Sequence, residues 1–188
     1  SYYMTAEMLR DNALYTAGLL SDKLGGASAK PYDPQNNKYR RSLYTQWRRS
    51  EPSPEMLIFG APRRQICSVK REKTSTPLQP LVLMNSPQVI ESARSLASQV
   101  LKEDGDSKSK LKSMYKRLTG SELNKEQLQI LAKLLNEQEL YFQKSPDVAK
   151  NLRKVGKSTV KDKDDITLAA WTVMANTILN LDSYYMLR

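Results

Sequence analysis

Ile166-Thr167-Leu168-Ala169-Ala170-Trp171-Thr172-Val173-Met174-Ala175-Asn176-Thr177-Ile178-Leu179-Asn180-Leu181 is apolar almost all round. Asp164 or Asp165 stands ready to cap its start. A helix without a polar face belongs inside a protein or inside a membrane. This one is slightly short for a span and has acidic residues at both ends, so it reads as a central core helix rather than a membrane segment. One narrow polar stripe runs along it. Thr172, Asn176 and Asn180 follow at i, i+4 and i+8. Buried amides need partners. The stripe therefore reads as a fastener for another segment's backbone, with a pocket lining as the weaker alternative.

Upstream of this rod the pattern is helical as far back as Ser86. Ser86 and Pro87 form a start signal, and Ile90, Ala93, Leu96, Ala97, Val100 and Leu101 share one face. Glu91 falls on the polar side of that helix. Leu111, Met114, Tyr115 and Leu118 mark a shorter helix ending at Gly120. Asn124 and Gln127 can form a capping box for a helix running to about residue 143. Ser145-Pro146 starts another, and residues 156–163 form a lysine-rich loop. At the other end, Thr5 caps a helix whose apolar residues run from Leu9 through Leu20 to Leu24, with Gly25-Gly26 as its stop.

Between these helical parts, residues 27–85 hold seven prolines, which excludes a long helix. Tyr39–Trp47 alternates like a strand and residues 66–69 form a weaker candidate, leaving room for a short β-hairpin. A structureless loop this long is rare in a compact domain. The expectation is a mainly α single domain over residues 1–188. It has a first helix in 1–26, an irregular basic wrap in 27–85, and a helical core in 86–188. Five or six helices pack around the C-terminal rod.

The wrap carries most of the charge. Between Lys38 and Lys73 ten cations face three carboxylates, which accounts for seven of the chain's ten excess positive charges. Candidate binding residues are Arg40, Arg41, Tyr44, Trp47, Arg48, Arg63, Arg64, Arg71, Thr74 and Thr76. Arginine grips phosphate, sulfate or carboxylate with paired N–H groups, and neighbouring rings stack on sugars or bases. The plainer and favoured reading is that these arginines tie the irregular segment to helix ends and acidic groups. Hydroxyls and prolines in residues 74–87 precede a helix N-terminus, where an anion can sit; ordinary turn and cap chemistry is the favoured reading.

Absences narrow the chemistry. The chain has no histidine and one cysteine, Cys67. A Ser-His-Asp or Cys-His centre cannot be built from it, nor can an internal disulfide or a thiolate zinc cluster. Carboxylates offer no pair spaced for acid/base work. Cys67, near Arg63, Arg64 and Lys70, is either an activated thiol or, more commonly, a buried inert one. No cofactor is expected in these residues. The chain opens Ser1-Tyr2-Tyr3-Met4 without an initiator methionine or signal peptide, and is expected to be a piece of a longer protein.

Residues 6–14 and 25–32, followed by Tyr39-Arg40-Arg41-Ser42-Leu43-Tyr44, Phe59-Gly60-Ala61-Pro62, Cys67, Thr74-Ser75-Thr76-Pro77-Leu78-Gln79, Leu81–Asn85, Ala169-Ala170-Trp171-Thr172 and Asn176–Asp182, together resemble a planctomycete-type domain of unknown function, number 1553. The family pattern has Asp, Asn, Ala and Asp where this chain has Gly60, Ser75, Pro80 and Ser86. The resemblance implies a C-terminal module of an exported protein, in the periplasm or at the cell surface. It would follow a second domain of unknown function and often a cytochrome-c-like domain, so any haem would lie upstream. The function expected is a non-catalytic structural or binding module. Its basic surface would meet an acidic partner domain of the same chain or an anionic polysaccharide. The alternative is part of an active site completed by upstream domains. Nucleic-acid binding, resting on charge alone, is the weakest reading.

Overall fold

The computed structural model describes residues 2–29, 39–48, 50, 52–65, 67, 69–71, 75–160 and 164–187. The described elements are α1 (Ala6–Thr16), α2 (Pro54–Ile58), α3 (Leu78–Asn85), α4 (Pro87–Leu101), α5 (Ser107–Thr119), α6 (Lys125–Lys144), α7 (Pro146–Lys154), α8 (Asp165–Leu179) and α9 (Asp182–Tyr185). Two short strands, β1 (Tyr2–Tyr3) and β2 (Met186–Leu187), pair antiparallel and bring the two ends of the chain together.

The rod is α8, and it lies at the centre. Asp164 accepts from the Ile166 N–H to cap it. Leu168, Ala169, Ala170, Trp171, Thr172, Met174, Ala175, Ile178 and Leu179 are all buried. Its main neighbours are α4, then α6 and α7, with α3, α5 and α9 at the margins. Ala93 and Ala97 of α4 and Ala170 and Ala175 of α8 are fully buried, which lets the two helices approach closely. The main core joins these faces to Leu9 and Ala13 of α1, Leu111, Met114 and Leu118 of α5, and Leu131 and Leu135 of α6. The fold is mainly α, as the hydrophobic periodicity predicts.

Four local readings need correction. Helix α1 stops at Thr16, not near Leu24, which is 76% exposed. The reason is at Gly18, whose φ is +63°; a Cβ there would come within 2.9 Å of Gln99 Nε2. Gln99 Nε2 and Ser95 Oγ instead donate to the Ala17 carbonyl, at 2.6 and 2.8 Å, so α4 terminates α1. Tyr39–Trp47 is not a strand. Ser42–Tyr44 forms a 3-10 turn, flanked by isolated bridges from Arg40 to Ser21 and from Thr45 to Ala29. The pull comes from α1, where the Asp11 carboxylate accepts from the Ser42 N–H and hydroxyl and bends the chain. Of the second strand candidate, Ile66 and Ser68 lie outside the described residues.

The segment expected to stay irregular until residue 85 also contains α2 and α3. Pro80 is the third residue of α3, where the backbone N–H has no intrahelical acceptor to lose. Ser86 ends α3 and starts α4, held extended (φ −62°, ψ 124°) by the proline after it.

Glu91 is buried, not solvated. The loop after α7 folds over it, and Glu91 accepts from Tyr39 Oη at 2.5 Å, from the Lys157 N–H at 2.7 Å and from the Ser158 N–H. One turn on, Arg94 is 1% exposed and donates to the carbonyls of Arg153, Val155 and Ser158. Arg153 in turn holds Asp165 and the Val160 carbonyl. This polar cluster fastens the α7–α8 connection to α4.

Candidate functional site

The arginines of the basic segment do not converge. Arg40 is buried, and its guanidinium donates to the carbonyls of Ala27 (2.6 Å), Lys23 (3.1 Å) and Gly25 (2.5 Å). It lies 3.8 Å over the Tyr44 ring, and Tyr44 Oη accepts from the Gly25 N–H. These two residues hold the 23–27 loop and face inward. Arg41 and Arg48 are exposed.

A second group does reach the surface together. Trp47 packs against Ala6, Met56 and Ala61, donates its indole N–H to the Arg63 carbonyl at 3.3 Å, and faces the Arg64 guanidinium at 5.2 Å. Arg64 adopts the left-handed conformation, with φ 59°. Arg63 and Arg64 are exposed.

Lys70 and Arg71 line a groove of about 190 Å³ with Phe59, Tyr3, Thr5, Gly60, Gln79 and Tyr185. Tyr3 and Tyr185 stack at 5.8 Å between ring centroids. Tyr185 donates to Asp182, and that carboxylate, with burial, pushes the phenol up to about 12. Arg71 makes a two-point bridge to Glu7, at 2.7 and 3.0 Å. Burial works against the Glu7 charge, yet the bonds from Arg71 hold its carboxyl below the usual range. Thr76 accepts from the Gln79 N–H through its carbonyl and serves the start of α3. Thr74 lies outside the described residues. Cys67 is exposed, not buried.

Along α8, Thr172 bonds back to the Leu168 carbonyl at 2.7 Å and Asn180 to the Asn176 carbonyl at 3.0 Å. Asn176 donates to the Met84 carbonyl at 3.3 Å, at the end of α3. The stripe thus serves backbone, and one of its three members reaches another element.

Lys70, Tyr3 and Tyr185 were absent from the sequence-derived candidates. The rings are 182 residues apart in the chain, and the β1–β2 pairing, with the Met4 N–H donating to the Tyr185 carbonyl, brings them together. Lys150, Lys154 and Lys157 line a separate open surface beside the α7–α8 loop. Among the described residues no group of three or more His, Cys, Asp or Glu could hold a metal ion, and no helix is long and apolar enough to cross a membrane.

What the geometry defines is an all-α module with an exposed arginine, lysine and aromatic surface around Phe59. The chain belongs to the PSD1 family, proteins of unknown function (DUF1553), whose family model matches residues 1–135. No curated protein and no solved structure matches it.

Proposed function

We propose that this chain is a non-catalytic binding module of an exported multidomain protein, and that its surface around Phe59 grips an anionic polymer or an acidic neighbouring domain. The observation that carries this reading is that two groups of cations and rings, Trp47 with Arg63 and Arg64, and Phe59 with Lys70, Arg71 and the Tyr3–Tyr185 stack, are tied together by Trp47 and Phe59 packing on the same small cluster of Ala6, Met56 and Ala61. Cations provide attraction, and aromatic faces provide the flat apolar contact that sugar rings use. Glu7 is matched by Arg71, and Asp182 accepts from Tyr185. Tyr39, Glu91 and Tyr184, whose pKa values are also shifted, serve packing and loop fastening rather than this surface. The exported setting rests on the family resemblance alone.

The test is binding of a sulfated polysaccharide such as heparin across salt concentration. Arg63→Ala/Arg64→Ala/Lys70→Ala is expected to weaken binding at least tenfold at low salt and to flatten its salt dependence. Lys154→Ala/Lys157→Ala, on the α7 surface, is expected to leave it within twofold. Equal losses in both variants would mean diffuse charge attraction and no site here.

A further inference from the structure

Independently of that surface, we infer that the cavity between α1, α2, α3 and the first turn of α4 binds a small amphiphile, a short hydrocarbon chain ending in a carboxylate. The cavity measures about 90 Å³. That is several times the roughly 10–15 Å³ that one water needs. Ala13, Met56, Phe59, Leu83 and Val89 give it mostly apolar walls.

Its polar groups divide sharply. Ser92 donates to the Gln88 carbonyl at 2.9 Å, Tyr184 to the Leu9 carbonyl at 3.2 Å, and Arg10 to the Gln88 side chain at 2.8 Å. Ser86 has no such partner. It is 5% exposed, it lines the cavity, and its Oγ makes neither a cap bond nor any other hydrogen bond. A serine at the start of a helix ordinarily accepts from the second or third N–H. A hydroxyl buried without a partner is costly and calls for an explanation.

Backbone donors stand beside it. Gln88 and Val89, in the first turn of the fifteen-residue α4, also line the cavity, and first-turn N–H groups have no acceptor within their own helix. The partial positive charge of the helix start acts in the same direction, whereas the Arg10 guanidinium is already bridged to Asp11 at 3.2 Å. An oxygen-bearing, negatively charged head therefore fits at Ser86, and the apolar walls take a chain of a few carbons. Glu55, on the α2 wall, disfavours a second anionic end there.

The test uses hexanoate and 1-hexanol as probes at neutral pH, followed by calorimetry and by backbone amide resonances of the whole chain. Hexanoate is expected to bind, to shift the Gln88 and Val89 amides first, and to bind at least fivefold more tightly than hexanol. Ser86→Ala should weaken hexanoate at least fivefold without lowering the melting temperature. Val82→Phe, which fills the cavity from a half-exposed position on α3, should abolish binding. No hexanoate binding at millimolar concentration would overturn the site. Hexanol binding as tightly as hexanoate would overturn the carboxylate head, and unchanged affinity in both variants would place the probe elsewhere.

Discussion

Gly156 shows how much of the α7–α8 connection depends on single atoms. Its φ is +80°, and a Cβ there would sit 2.6 Å from Glu91 Cδ and 2.7 Å from Glu91 Cβ. Gly156→Ala combines left-handed strain with a buried clash, and should cost about 2 kcal/mol or more by urea denaturation. Arg94→Met should cost about 3 kcal/mol, because it removes the donor that several loop carbonyls share and a positive charge that interacts with Glu91. The same cluster sets a pH dependence. Burial opposes the Glu91 charge, but the bonds from Tyr39 and from the Ser158 and Lys157 N–H groups outweigh it and hold the carboxyl below its ordinary 4.5. A depressed folded value adds stability that is fully present above 4.5 and is lost as pH falls through the folded value. Tyr39 moves the other way, raised by burial and by Glu91 above its ordinary 10. Its contribution holds up to pH 10 and declines beyond, where the unfolded chain ionises first. Stability measured against pH should therefore fall at both ends. Glu91→Gln should flatten the acid limb and Tyr39→Phe the alkaline limb; unchanged limbs in these variants would refute the assignment.

At the scale of elements, what could be read in advance was whatever neighbouring residues decide among themselves. The Asn124–Gln127 capping box is present in both directions, at 2.7 and 3.2 Å, because its four residues need no distant partner. Asn124→Ala should cost about 1 kcal/mol of thermal stability. Helix α8 was equally plain, since an all-apolar rod has one place to go. Trp171→Ala should cost about 3–5 kcal/mol, measured by denaturant unfolding, for the cavity it opens. What failed depended on partners far along the chain. The end of α1 is set by Gln99 and Ser95, and the bend at Ser42 by Asp11. Glu91 is buried by a loop more than sixty residues later. The candidate site follows the same division. Its residue types were visible as arginines among aromatics, but the inward turn of Arg40 depends on loop carbonyls, and the Tyr3–Tyr185 stack depends on pairing of the termini.

Over the whole molecule, family membership and folding unit do not share a boundary. The family model ends at residue 135, within α6, whereas the core centres on α8 at residues 165–179. Cutting at 135 would remove the rod and α7, and would uncover Leu96, Ala97 and Val100 on α4 and Leu131 and Leu135 on α6. Burial of each large aliphatic side chain contributes about 1.5–3 kcal/mol, so losing several exceeds the whole stability of a typical domain, about 5–15 kcal/mol. Glu91 and Arg94 would lose their loop partners in the same cut. Residues 1–135 alone should therefore show helical circular dichroism without a cooperative urea transition, and should bind a hydrophobic dye. Adding residues 136–188 as a separate chain should restore a sigmoidal transition, because the missing helices supply complementary apolar faces. A sharp transition in 1–135 by itself would instead mean that α8 covers a core already complete without it, and the centre of the fold would have to be placed among α1, α4, α5 and α6.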